Sequence, residues 1–383
     1  WGTGGVPQAP WTEQTAGNQP ADRRFLQSAG TFTLQPGAVN FVTIGMVWAQ
    51  SNTVGNAFAS VEDMRLADDL AQALFDNCFK VTDGPDAPDV EIIELDKKLV
   101  LTLDNRTNSN NYQEGYQEFD PLIVCPNPGV DPCDTLYFFE GYQIYQLKDQ
   151  TVSSSELTNP DRARLVAQVD IENGVGQLVN YIDDKAIGAL VPMEMVDGED
   201  KGVRHSFVIT EDKFATGDAR LVNHKDYYFM AIAYGYNAFP PYDPTTPAGL
   251  DGQKKPYKAG RNNLKVYKGT PHISEPKNGG TILNSEVGDY FPVTRISGSG
   301  NGGNAVYLNE ESLETILNAN CGGEITYTKE GGPIRVQVID PSAVKPNQFR
   351  VAFNGTGENA TFQVFDVTGG DTLIQPSPNV PIG

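Results

Sequence analysis

Three histidines, His205, His224 and His272, are the only imidazoles in this chain of 383 residues. A hydrolase needs a nucleophile within reach of a base, and neither GxSxG nor HExxH surrounds any of the three. Each is expected to be a surface or capping residue, with His224 of VNHKDYYF in a loop. The run Gly298-Ser-Gly300-Asn-Gly302-Gly303 satisfies GxGxxG, but a dinucleotide site requires those glycines to open directly into the helix of a βαβ unit. Here NAVYLN intervenes and the chain returns as GGEITYTKEGGP, so a surface loop is expected and no organic cofactor. Carboxylates are abundant without a pair being singled out, and Asp68-Asp69 falls on the polar side of an amphipathic helix.

Calcium is the more serious ligand, because loops rich in acids supply hard oxygens. Asp183-Asp184, Asp197 and Asp200 in the run Asp-Gly-Glu-Asp, and Asp243 in FPPYDPTTP are the candidate contributors, but none has the DxDxDG spacing of an EF-hand and solvated loops are the default reading for each. Four cysteines, Cys78, Cys125, Cys133 and Cys321, contain no CxxC pair and make no zinc pattern. Cys125 and Cys133 bracket the turn-rich CPNPGVDPC; they are either a disulfide, which would fit an oxidising compartment, or two separate thiols. Cys78 is expected to be a buried apolar filler at the end of a helix. The formal net charge of −21 repels nucleic acid and anionic membranes, and no apolar run is long enough to insert in a bilayer.

The elements that position these residues are mostly strands. Leu136 to Leu147, LYFFEGYQIYQL, reads as a core strand with Gly141 as a bulge, and Tyr227 to Tyr236, YYFMAIAYGY, alternates with period two as its partner. Residues 1 to 27 read as an extended arm. Residues 28 to 83 read as a hairpin turning at Pro36-Gly37, TFTLQPGAVNFVTIGMVWA, followed by a helix capped at Ser60 with an apolar face of Met64, Ala67, Leu70, Ala71, Leu74 and Phe75. Val90 to Leu95 and Leu99 to Leu103 follow as strands behind a Pro-bounded linker. Residues 270 to 383 read as a small β-rich module: a helix from Asn309 to Asn320, strands at Phe291–Ile296, Ile334–Ile339, Gln348–Phe353 and Thr361–Val367, and a Pro-rich end.

The segment GPDAPDVEIIELDKKLVLTLDN resembles the opening of a fibronectin type III-like domain, with a Pro-rich lead, an A strand, a turn and a B strand; it lacks the Trp common at the end of B. FEGYQIYQL and YYFMAIAYGYN resemble its C and F strands, and NNLKVYKG its G strand, so residues 84 to 269 are expected to form an immunoglobulin/fibronectin III-like sandwich with long insertions. Together the hairpin, the helix and this module resemble a recurring segment of large secreted Bacteroidota proteins exported by the type IX secretion system. That resemblance implies an extracellular location and a chain cut from something longer. The triplets at Asn105, Asn354 and Asn359 fit N-glycosylation, and Asp134-Thr135-Leu136 and Asp371-Thr372-Leu373 fit Bacteroidota O-glycosylation.

The expected function is a non-enzymatic structural or adhesion module, acting as spacer or assembly domain, with neighbouring domains or subunits as partners. The alternative is an accessory glycan- or peptide-binding module of an extracellular hydrolase, whose aromatic platform would be Tyr236, Phe239, Tyr242 and Tyr257.

Overall fold

The computed structural model describes residues 16–19, 21–22, 24, 30–50, 57–123, 133–184, 189–246, 249–250, 252–298, 301, 304–318, 323–355 and 360–378. The chain divides into two compact units, Trp1–Gln72 and Ala73–Gly383.

In the first unit the expected hairpin is corrected: residues 30–50 contain no strand. Only its turn is made, with the Ala38 N–H donating to the Gln35 carbonyl at 3.0 Å around Gly37 at φ +82°. A two-stranded ribbon is marginal without a further layer on its apolar face. Phe32, Leu34, Val39, Phe41, Val42, Ile44, Met46 and Trp48 are exposed. Helix α1 (Ala57–Asp76) starts three residues ahead of Ser60. Its expected core face is half-buried at Ala67, Leu70, Ala71 and Leu74 and exposed at Met64 and Phe75. Cys78 lies beyond the helix at φ +53° as an exposed free thiol, which corrects the buried reading.

The second unit opens with β1 (Asp89–Leu95), β2 (Lys98–Asp104), β3 (Gln117–Phe119), β4 (Leu136–Leu147), β5 (Ala163–Asp170) and the hairpin β6 (Gln177–Asp184) and β7 (Ala189–Asp197). It continues with β8 (Ser206–Ile209), β9 (Tyr227–Tyr236), β10 (Tyr257–Ala259) and β11 (Tyr267–Gly269). One sheet has the order β1-β2-β8; the other runs β10-β9-β4-β3, with β11 also on β9 and β5 also on β4. The two Tyr-bearing segments pair antiparallel along their lengths, from Phe138 opposite Tyr236 to Leu147 opposite Tyr228. The sheets close on one core, in which Leu99, Leu101, Leu103, Phe207 and Ile209 meet Tyr142, Ile144, Phe229 and Ala231. The fold is mainly β and sandwich-like, with non-local pairing at its centre.

A departure from simple alternation shapes β4. The register shifts between Phe139 and Gly141, which lets Phe139 and Tyr142 both face the core with their rings 4.8 Å apart. A Cβ at Gly141 would collide with the Val169 carbonyl and lie 2.6 Å from the Tyr234 hydroxyl, so the bulge needs glycine. The β6–β7 hairpin then adds a third layer, with Leu178 and Val196 packed against Tyr234 and Tyr257 on the other face of the second sheet.

Beyond these, β12 (Thr294–Arg295) pairs with β13 (Ile325–Thr326), helix α2 (Glu310–Leu317) starts behind Asn309 as expected, and β14 (Phe349–Asn354), β15 (Thr361–Asp366) and β16 (Asp371–Pro378) form a meander. Ile334–Ile339 is not a strand; it contributes one bridge, Tyr290 with Gln337. The Pro-rich end is partly β16, because prolines are tolerated on an edge strand.

Candidate functional site

An acid in the middle of a buried aromatic strand must find donors, a proton or a counter-charge. Glu140 sits at the β4 bulge and is 2% exposed, and Asp170, at the end of β5, is equally buried. Asn173 Nδ2 donates to Glu140 Oε2 at 2.9 Å, and the Asp200 N–H donates to Asp170 Oδ1 at 3.0 Å. The Asp200 carboxylate in turn accepts the N–H groups of Asn173 and Gly174, which holds Asp200 at φ +51°. Glu140 Oε1, Asp170 Oδ2 and the Tyr234 hydroxyl are buried with no partner. At Gly198 a Cβ would collide with the Asp170 carboxylate, so the loop closes tightly over the pair.

Burial raises the Glu140 carboxyl to about 7, and the negative charges of Asp170 and Asp200 add to the rise against the lowering bond from Asn173. Burial likewise raises Asp170. The folded chain therefore binds more protons than the unfolded one between the usual glutamate value, near 4.5, and about 7. Stability contributed by the protonated acid is present at and below pH 4.5 and is lost as pH rises to about 7, a change on the order of 3 kcal/mol at most. Urea unfolding at pH 5 and pH 8 checks this, with the loss of stability smaller in Glu140→Gln. Asp212 acts with the opposite sign: burial opposes its charge, but Lys225 at 2.7 Å and Gln146 hold its carboxyl below the usual range. Its contribution is lost on acidification.

A second polar group lies within the same strand. Asn105 Nδ2 donates to the Tyr142 hydroxyl at 2.5 Å, and the hydroxyl donates to Glu114 Oε1 at 3.4 Å. His205 Nε2 lies 2.5 Å from that oxygen, and Glu114 raises the imidazole above its ordinary value. Gln113 and Glu114 both have positive φ, +54° and +58°, a strained turn that aims the carboxylate inward. The sequence reading treats His205 as a surface residue, which its half-exposed ring fits; its Glu114 partner is missed because the two lie 91 positions apart. Asn105, the first glycosylation triplet, has its amide engaged on Tyr142. Asn354 is exposed, and Asn359 lies outside the described residues. His224 is exposed at φ +63° ahead of β9, and His272 Nδ1 lies 3.4 Å from Glu94.

The five calcium contributors are not brought together. Asp184 and Asp197 are exposed, Asp200 is engaged by the Asn173 and Gly174 N–H groups of the facing loop, and Asp243 caps its own turn through Thr245. The side chain of Asp183 lies outside the described residues. Among the described residues no three or more His, Cys, Asp or Glu side chains gather as a metal-ligand set. Cys133 is disulfide-bonded; Cys125 lies outside the described residues, as do Gly300, Gly302 and Gly303. The four aromatic residues share no exposed face. Tyr257 is 6% exposed with its hydroxyl donating to Gln143, and Tyr236 and Phe239 pack half-buried on the cores. Tyr242 lies against Tyr181, rings 4.4 Å apart. The signal that would have found the carboxyl corner is Glu140 itself, a lone acid beside a glycine in FFEGY.

Among the described residues no helix is long and apolar enough to cross a membrane. Comparison with protein-family models, with curated proteins and with solved structures finds no match to this chain.

Proposed function

We propose that this chain is a structural or adhesion module of a secreted cell-surface protein, a spacer or assembly domain that does no chemistry of its own. The observation that carries this reading is the stretch between Arg24 and Glu62, which contains no Asp, Glu, Lys or Arg in a chain of net charge −21. Within it Phe32, Leu34, Val39, Phe41, Val42, Ile44, Met46 and Trp48 are exposed, and among the described residues the backbone has no strand partner. A charge-free, period-two segment with its ladder bonds unmade has the character of a strand that completes a neighbour's sheet. The order β1-β2-β8 facing β11-β9-β4-β5 supports the fibronectin III-like reading of residues 84 to 269. A module of this kind turns over no polysaccharide or protein substrate. Turnover abolished by a single substitution within this chain is the result that would overturn the proposal.

A further inference from the structure

The loops at the base of the β6–β7 hairpin meet β4 and β5 at two buried acids, beside the apolar packing of Leu178 and Val196 and the bond from Gln143 Nε2 to the Met195 carbonyl. The Ile171 N–H donates to the Glu140 carbonyl at 2.9 Å, Asn173 to the Glu140 carboxyl, and Asp200 to Asp170; the Gly198 N–H closes the base on the Gly176 carbonyl at 2.6 Å. Around the pair stand Asp200 and Glu199 of one loop, Asn173 of the other, and Tyr234 and Tyr236 of β9, with Tyr257 of β10 behind Tyr234. Glu172 and Asp197 are exposed, and the loop's cations, Lys201 and Arg204, act on Glu199 instead. Each acid keeps one buried oxygen with no partner. Two ionised carboxylates so placed would repel one another in a medium of low polarisability, with nothing positive to offset them.

We propose that Glu140 and Asp170 form a proton-operated latch: a proton held on the pair keeps the base of the β6–β7 hairpin against the sheet, and its loss releases that base. The release is local, because β4 and β9 remain paired while loops 171–176 and 198–200 lose their anchors. The device senses the passage between mildly acidic and mildly alkaline surroundings.

Hydrogen–deuterium exchange by mass spectrometry on the full chain at pH 6 and pH 8, corrected for the intrinsic pH dependence of exchange, tests it. The expected result is an approximately tenfold loss of protection at 171–176 and 198–200 at pH 8 beyond any change shared by the β1 and β2 amides, which serve as the internal control. Glu140→Gln is expected to remove the pH dependence and keep the protection; Asp170→Asn, which retains the oxygen that Asp200 uses, serves if the first variant fails to fold. Equal pH dependence in the neutral variant, or none in the native chain, overturns the latch. Calcium at millimolar concentration restoring protection at pH 8 also overturns it, since the corner would then hold a metal ion.

Discussion

Phe229→Ala is expected to lower the free energy of unfolding by about 4 kcal/mol, because Phe229 is fully buried on β9 where the two sheets meet. The lost transfer energy of the ring adds to the cavity left among side chains that belong to opposite sheets and cannot collapse independently. Denaturant unfolding should show a lower midpoint with an unchanged slope. A loss below about 1 kcal/mol would mean that the sheets do not close on each other at this point.

Gly141→Val should cost upward of about 3 kcal/mol, by overpacking instead of by loss. The atom that a side chain meets first is the Val169 carbonyl, which is backbone and cannot rotate away. Relieving the clash breaks the pairing of Gly141 with Asp170, which also unseats the carboxyl corner. The control is Gly30→Ala, where open space surrounds the added methyl. If the two substitutions have equal effects on the urea midpoint, the bulge is not built as described.

The parts of the fold that could be read from sequence are those whose side chains carry both period and company. β9 alternates large residues over its ten positions, β4 carries dense aromatic and aliphatic residues over twelve, and β1 and β2 flank a two-residue turn at Asp96-Lys97. Strand β6, QLVNYIDD, offers no clean alternation, because its outer face is solvent and its inner face meets Tyr257 through the amide of Asn180. Residues 31–49 show the opposite failure: the alternation is strong, yet the pairing it calls for is not made within the described chain. A strand pattern states what a segment will bury and leaves open whose surface will bury it. The carboxyl corner depends on residues thirty and sixty positions apart, Glu140, Asp170 and Asp200, so only the paired sheets bring it into view.

The most direct measurement of whether residues 31–49 are an assembly segment is multi-angle light scattering across a concentration series. The intact chain is compared with a variant carrying Phe41→Ser, Ile44→Ser, Met46→Ser and Trp48→Ser. The expected result is concentration-dependent association of the intact chain and a monodisperse monomer for the variant, with the sandwich equally stable in both. An intact chain that remains a monodisperse monomer throughout the series would contradict the assembly role.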